Sequence, residues 1–122
     1  MKKRAVAYLL IILLSFASLL FSASKRVDLV NIDGAISPIT ARIITNAIKS
    51  AVDDGSEALV IELNTPGGLD ESMRQITRDI LNSEVPVIIY VAPSGSRAAS
   101  AGVFITLAAH VAAMAPGTNI GA

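Results

Sequence analysis

Short apolar runs alternate with amphipathic stretches along most of this chain. Four of the runs are rich in Val, Ile and Leu and are bounded by turn residues, which predicts strands. They cover Arg26 to Ile32, Ala58 to Leu63, Val85 to Val91 and Val111 to Met114. The second run is nearly continuous rather than alternating, as expected for a strand that is covered on both faces.

Three of the intervening stretches predict helices. From Pro38 to Asp53 the apolar residues recur at helical spacing, with a proline in the first turn and Gly55 just past the end. A second amphipathic helix follows Pro66-Gly67-Gly68 and ends near Ser83, and a third, apolar on nearly all sides, runs from Ala98 to about Ala109. Strands that alternate with helices predict an α/β fold with a parallel sheet, in which sites gather at the carboxyl ends of strands.

The amino terminus has a different composition from the rest of the chain. Met1-Lys2-Lys3-Arg4 is basic, and the nineteen residues from Ala5 to Ala23 carry no charge. This combination is typical of a secretory leader or a membrane anchor, and the small residues Ser22-Ala23-Ser24 suit cleavage by a signal peptidase. We therefore expect residues 1–24 to be a signal peptide or anchor, followed by an exported domain over residues 25–122.

Composition argues against several classes of function. Lys2, Lys3 and Arg4 are three of the ten basic residues, so the remainder has seven basic against ten acidic residues, a formal charge of −3. No basic patch is left for binding nucleic acid. The chain has no cysteine, a single histidine and no His/Asp/Glu cluster at ligand spacing, so we expect no disulfide framework, no metal and no cofactor.

Two of the predicted turns carry candidate chemistry. Ser100 lies among small residues at a predicted strand-to-helix turn, where a nucleophile would be accessible. The N–H of Ala101 at the start of a helix, and the N–H of Gly67 or Gly68, are candidate oxyanion donors. A valine at Gly68 is accordingly expected to block activity by crowding the oxyanion site. A serine between alanines also occurs in helix packing, and Pro-Gly-Gly also occurs as a plain turn, so the residue types alone leave both interpretations open.

No residue of the chain is a convincing general base for Ser100. His110 follows ten residues later, which would be about 15 Å along a helix joining the two, and we interpret it as a cation at a helix end. Of the lysines outside the basic start, Lys25 lies at the leader junction and Lys49 on the exposed side of the first predicted helix.

Three motifs together resemble a known family. Leu59 to Gly68, Ala98 to Gly102 and Ala113 to Ala122 are similar, in this order, to the amino-terminal protease domain of the NfeD family of membrane-bound serine proteases, within the ClpP and signal-peptide-peptidase A class. The resemblance covers Val27 to Ala122 and implies a ClpP/crotonase-like fold of repeated strand-strand-helix units, preceded by the hydrophobic leader helix. Because Pro116 to Ala122 is loop-like, we expect an incomplete domain.

The resemblance implies a serine endopeptidase with a Ser-Lys dyad. It places the nucleophile at Ser100 and the oxyanion donors at Gly67, Gly68 and Ala101. ClpP has its histidine base in the segment that corresponds to Asn119 through Ala122, and this sequence has none there. The base of NfeD-type proteases is a lysine, expected beyond Ala122, and burial among apolar groups would lower the pKa of such a lysine enough for it to accept a proton.

Partners and location also follow from the resemblance. It implies substrates in hydrophobic segments of membrane-protein partners, a stomatin-like partner, membrane contact through the leader or later segments, and a homo-oligomer. The expected location is the cell membrane, with the protease domain on the extracytoplasmic side. Two alternatives stay open: an inactive ClpP-fold scaffold for a stomatin-like protein, and a crotonase-type acyl-CoA enzyme. Export argues against the second, because coenzyme A is chiefly intracellular.

Overall fold

The computed structural model describes residues 1–19 and 24–122. Its helices are α1 Lys2–Leu19, α2 Pro38–Asp53, α3 Asp70–Leu81 and α4 Ala101–Ala108. Its strands are β1 Val27–Asp33, β2 Ala58–Asn64, β3 Val87–Val91, β4 Arg97–Ala99, β5 Val111–Met114 and β6 Asn119–Gly121. The predicted bounds of α2 and β5 are confirmed.

Four of the strands form one parallel sheet in the order β1-β2-β3-β5. Parallel neighbours need a crossover connection, and here α2 joins β1 to β2 while α3 joins β2 to β3. The predicted α/β fold with a parallel sheet is therefore confirmed. All four carboxyl ends lie at the same edge of the sheet, and the segments that leave this edge carry both predicted site turns.

Helices α2 and α3 cover one face of this sheet. On that face Leu59, Ile61 and Leu63 of β2 pair with Val87, Ile89 and Val91 of β3, and all six are buried with the apolar sides of α2 and α3. On the opposite face Val60 and Ile88 are only half-buried, and Leu29 is 66% exposed. The prediction that β2 is covered on both faces is wrong for the residues described, because the helices pack over the same side.

A second set of short parallel pairings follows the carboxyl ends of the main strands. β4 pairs with β6, Thr65 bridges to Ala98, and Ile36 bridges to Gly68. Each strand of the main sheet is thus followed by a short extended segment. After β3 and β5 this segment is a strand, β4 or β6, whereas after β1 and β2 it consists only of single bridging residues.

The predicted start of the third helix is wrong. Ala98 and Ala99 belong to β4, and α4 begins only at Ala101. The N–H of Ala99 donates to the carbonyl of Thr65 at 3.0 Å, so backbone pairing overrides the helix propensity of these alanines. The segment Asn119–Gly121, interpreted as a loop, forms β6 because it pairs with the other side of β4.

The amino-terminal segment is a helix over Lys2–Leu19, with exposed large apolar side chains from Val6 to Leu14. Across the described ranges, 1–19 and 24–122, no helix combines the length and the apolar character that crossing a membrane requires. In the predicted cleavage site, Ser22 and Ala23 lie outside the described residues. The division into a leader and a domain stays a prediction.

The one-sided core predicts unequal effects for two adjacent isoleucines of β3. Ile89→Ala should lower the free energy of unfolding by about 2–5 kcal/mol, because it removes a fully buried side chain beneath the helices. Ile88→Ala, on the half-buried face, is the matched control and should cost less. Denaturant unfolding of both variants measures the difference, and equal losses would contradict a core confined to one face.

Candidate active site

The segment from Asn64 to Gly68 and the β4–α4 turn meet at the carboxyl edge of the sheet. The Asn64 side chain ties this region together, because its Nδ2 donates to Asp33 Oδ1 at 2.9 Å and its Oδ1 accepts from the Arg97 N–H at 3.0 Å. One amide group therefore connects the ends of β1 and β2 with the first residue of β4.

Backbone hydrogen bonds fix the turn that holds Ser100. The N–H of Thr65 donates to the Arg97 carbonyl at 2.7 Å, and the Ala99 N–H donates to the Thr65 carbonyl at 3.0 Å. On the other side of the turn, the Ser100 N–H donates to the Gly121 carbonyl at 2.8 Å. The serine is thus held by neighbours on both sides, one following β2 and the other in β6.

Ser100 has an unusual backbone conformation. Its φ is 52° and its ψ is −111°. Among the described residues, Ser100 is the only one other than glycine with a positive φ. Such a conformation costs on the order of 1–3 kcal/mol and is maintained only by its surroundings. The side chain is exposed, and none of the described residues forms a hydrogen bond with its Oγ. Ser100 therefore has the exposure that a nucleophile needs.

Gly67 faces this serine directly. A Cβ on Gly67 would lie 2.7 Å from the Ser100 Cβ and 3.2 Å from its Oγ, and the φ of Gly67 is +108°. A side chain at this position would collide with Ser100. The N–H of Gly67 donates to Thr65 Oγ1 at 3.1 Å, so the geometry gives Gly67 the role of leaving space rather than that of a free donor.

Gly68 has a different environment. Its N–H has no hydrogen-bond partner among residues 1–19 and 24–122, so it can donate to a substrate. A Cβ on Gly68 would lie 2.1 Å from the Ile36 carbonyl oxygen and 2.6 Å from the Ile36 nitrogen. The expectation that a valine here acts by crowding the oxyanion site is therefore wrong in its reason, because the side chain would collide with the backbone of Ile36.

The start of α4 places another unpaired amide beside the serine. The N–H of Ala101, in the first turn of the helix, has no partner within the described residues, as expected at a helix amino terminus. The structure thus brings together the exposed hydroxyl of Ser100, the N–H of Ala101 and the diglycine segment. A carbonyl oxygen that gains negative charge is stabilised by donors of this kind.

His110 lies away from this site. It follows α4, and its Nδ1 accepts a hydrogen bond from the Val87 N–H at 3.1 Å. Val87 is the first residue of β3, at the opposite end of the sheet from Ser100. Helix α4 ends at Ala108, so His110 lies two residues beyond the helix and contacts the start of β3 instead. Lys25 and Lys49 are exposed and form no hydrogen bond with Ser100 Oγ.

Beside the turns, a groove between α3 and α4 is lined mainly by apolar side chains, among them Met73, Leu81, Phe104 and Leu107. At its end near Gly68, Arg74 Nε donates to Asp70 Oδ2 at 2.7 Å, and this hydrogen bond raises the pKa of Arg74. Both side chains are largely exposed, so the ion pair contributes little to stability. No group of His, Cys, Asp and Glu within the described ranges could hold a metal ion.

The parallel α/β fold is similar to that of ClpP-like proteases. ClpP1 from Listeria monocytogenes matches with a TM-score of 0.62 at 25% identity, covering 74% of this chain and 52% of that protein. The 1510-N membrane protease of Pyrococcus horikoshii, specific for a stomatin homologue, matches with a TM-score of 0.78 at 47% identity, covering 82% of this chain and 50% of its own.

Sequence comparison identifies a narrower family than the fold does. The model of the NfeD1b N-terminal domain matches residues 26–122, so the chain belongs to this family. The membrane-bound protease PH1510 of Pyrococcus horikoshii is 47% identical over 116 residues, which are 91% of this chain and 26% of that protein. Membrane protein NfeD1b of Bacillus subtilis is 38% identical over 82 residues, which are 67% of this chain and 18% of that protein. The chain spans about a quarter or less of the length of these relatives.

The contact between Gly68 and Ile36 predicts that Gly68→Ala destabilises the protein. The new Cβ would displace the Ile36 backbone, which pairs with this segment through the bonds Ile36 N–H to Gly67 O at 2.8 Å and Leu69 N–H to Ile36 O at 2.9 Å. We expect a loss of more than about 2 kcal/mol in the free energy of unfolding.

Gly34→Ala is the matched control, because Gly34 also has a positive φ, +135°, but a Cβ there meets no atom within 4 Å. Thermal or denaturant unfolding of the two variants separates the collision from backbone strain. A Gly68→Ala protein that is as stable as Gly34→Ala would contradict the contact.

Proposed function

We propose that this chain provides the nucleophile and the oxyanion donors of a membrane-associated serine endopeptidase. The observation that carries the proposal is the exposed Ser100, held at a positive φ between the unpaired amide of Ala101 and the diglycine segment. Family membership and the protease activity named for the 47% identical relative support the same chemistry.

The proposed reaction is acyl transfer. Ser100 Oγ attacks the carbonyl carbon of a peptide bond, its proton passes to a base, and the carbonyl oxygen becomes an oxyanion. The amides of Gly68 and Ala101 donate to that oxygen, and Gly67 leaves the space in which the carbonyl approaches Ser100. When the intermediate collapses, the C–N bond breaks and the amine leaves with a proton, after which water hydrolyses the ester on Ser100.

The proposed base is a lysine beyond Ala122. No described residue forms a hydrogen bond with Ser100 Oγ, and His110 is engaged at the other end of β3. A lysine must be neutral to accept the proton, and apolar surroundings lower its pKa. Solved structures of 1510-N include a serine-to-alanine variant and a lysine-to-alanine variant in complex with a substrate peptide, which is in line with a Ser-Lys pair.

The proposed substrates are hydrophobic segments of membrane-protein partners, with a stomatin-like protein as the first candidate. The groove between α3 and α4 begins near the site, and its mainly apolar lining would favour the binding of an apolar peptide. The relative 1510-N is named as specific for a stomatin homologue. We place the domain of residues 25–122 on the extracytoplasmic side of the membrane, as part of a homo-oligomer, with residues 1–24 as leader or anchor.

Ser100→Ala in the full-length protein tests the proposal. It should reduce the cleavage of an apolar peptide to background, because the attacking oxygen is lost, while the thermal unfolding midpoint stays near that of the wild type. Ser50→Ala, which removes an exposed hydroxyl on α2, is the matched control and should keep full activity. Residual cleavage by Ser100→Ala would exclude Ser100 as nucleophile, and a wild-type protein without cleavage would favour a scaffold.

A further inference from the structure

One buried threonine contacts both halves of the candidate site. Thr65 lies between Asn64 and Pro66 in the segment that follows β2, and it has 0% of its surface exposed. Its backbone N–H and carbonyl pair with Arg97 and Ala99 on β4. The chemistry proposed for the site leaves its side chain without a role, although the large majority of buried hydroxyls form hydrogen bonds.

The hydroxyl of Thr65 holds the peptide unit between Gly67 and Gly68. Its Oγ1 accepts from the Gly67 N–H at 3.1 Å and donates to the Gly67 carbonyl oxygen at 3.3 Å, and that oxygen also accepts from the Ile36 N–H at 2.8 Å. That carbonyl and the Gly68 N–H belong to the same trans peptide unit and point in opposite directions. Fixing the Gly67 carbonyl therefore fixes the direction of the unpaired Gly68 N–H.

The methyl group of Thr65 packs on the start of α4. A Cβ on Gly102 would lie 2.6 Å from Thr65 Cγ2, so the absence of a side chain at Gly102 lets the methyl reach the helix backbone. Gly102 directly follows Ala101, whose N–H is the second unpaired amide. The same side chain thus touches the peptide unit that carries one donor and the helical turn that carries the other.

We propose that Thr65 is a positioning residue that sets the distance and angle between the two oxyanion amides, those of Gly68 and Ala101. The proposal rests on the proposed endopeptidase function. Thr65 does not touch the reacting atoms, so its effect is expected on the turnover number rather than on substrate binding, since donors aimed at an oxyanion act mainly in the transition state.

Two substitutions separate the hydroxyl from the methyl group. Thr65→Val keeps the shape and removes the hydroxyl, and it should lower kcat about 10- to 100-fold, as expected for a misplaced catalytic group. KM should change by less than about threefold, because ground-state binding does not use these donors. Thr65→Ser keeps the hydroxyl and should retain most of kcat.

The measurement uses the full-length protein and a quenched-fluorescent peptide with an apolar segment, and it yields kcat and KM separately. Thr45→Val is the matched control, because it removes a threonine hydroxyl that bonds Ala41 O and Asp79 Oδ2 between α2 and α3, away from the site. The control should leave kcat unchanged. Thr65→Val with wild-type kcat, or with a change in KM alone, would overturn the proposal.

A second variant pair decides the question even if Thr65→Val does not fold. Gly102→Ala places a Cβ 2.6 Å from Thr65 Cγ2, with a milder contact of 3.3 Å to the Ala98 Cβ, and should lower kcat about tenfold mainly by shifting Thr65. Adding Thr65→Ser removes the obstructing methyl, so the double variant should regain the kcat of Thr65→Ser. A double variant as slow as Gly102→Ala would overturn the proposal.

Ser100→Ala, assayed with the same peptide, distinguishes failure of the proposed endopeptidase function from failure of the positioning role of Thr65. If Ser100→Ala still cleaves, the proposed function fails. If Ser100→Ala is inactive while Thr65→Val retains its kcat, only the positioning role of Thr65 fails.

Discussion

The candidate site depends on the backbone pairing between the segment after β2 and the short strand β4. Thr65 exchanges two hydrogen bonds with Arg97 and Ala99, at 2.7 and 3.0 Å, and Ser100 donates to Gly121 at 2.8 Å. These bonds hold Ser100 in a conformation that a free chain would leave. Without them the alanines before the serine would favour a longer helix, and the hydroxyl would no longer face Gly67.

The rigid part of the molecule supports this arrangement from one side. Helices α2 and α3 bury one face of the parallel sheet, so the carboxyl ends of β1, β2 and β3 form a fixed edge. The two glycines after β2 have different roles at this edge. Gly68 fits against the backbone of Ile36, and its N–H has no hydrogen-bond partner in the described part of the chain, whereas Gly67 leaves room beside Ser100. Gly68 requires glycine because it packs against the Ile36 backbone, and Gly67 because a Cβ there would collide with the Ser100 side chain.

The regular elements could be predicted from residue patterns because they follow from apolar spacing and local caps, as α2 does between Pro38 and Asp53. Residue patterns gave wrong predictions where pairing with distant segments determines the local structure. Ala98 and Ala99 have helical propensity but pair with Thr65 and β6. The role of Gly67 depends on Ser100 and that of Gly68 on Ile36, both more than thirty residues away along the chain. Ser100 became a candidate nucleophile from its place among small residues at a predicted strand-to-helix turn. Motif resemblance strengthened that candidate, since a serine between alanines is not specific by itself.

The most direct measurement is a crystal structure of the full-length protein with an apolar peptide boronate, which mimics the tetrahedral intermediate. If the Ser100 turn is the active site, boron should be bonded to Ser100 Oγ, with one boronate oxygen about 3 Å from the nitrogens of both Gly68 and Ala101. A boronate bonded to another residue, or one bound to Ser100 with its oxygens directed away from both amides, would contradict the proposed site.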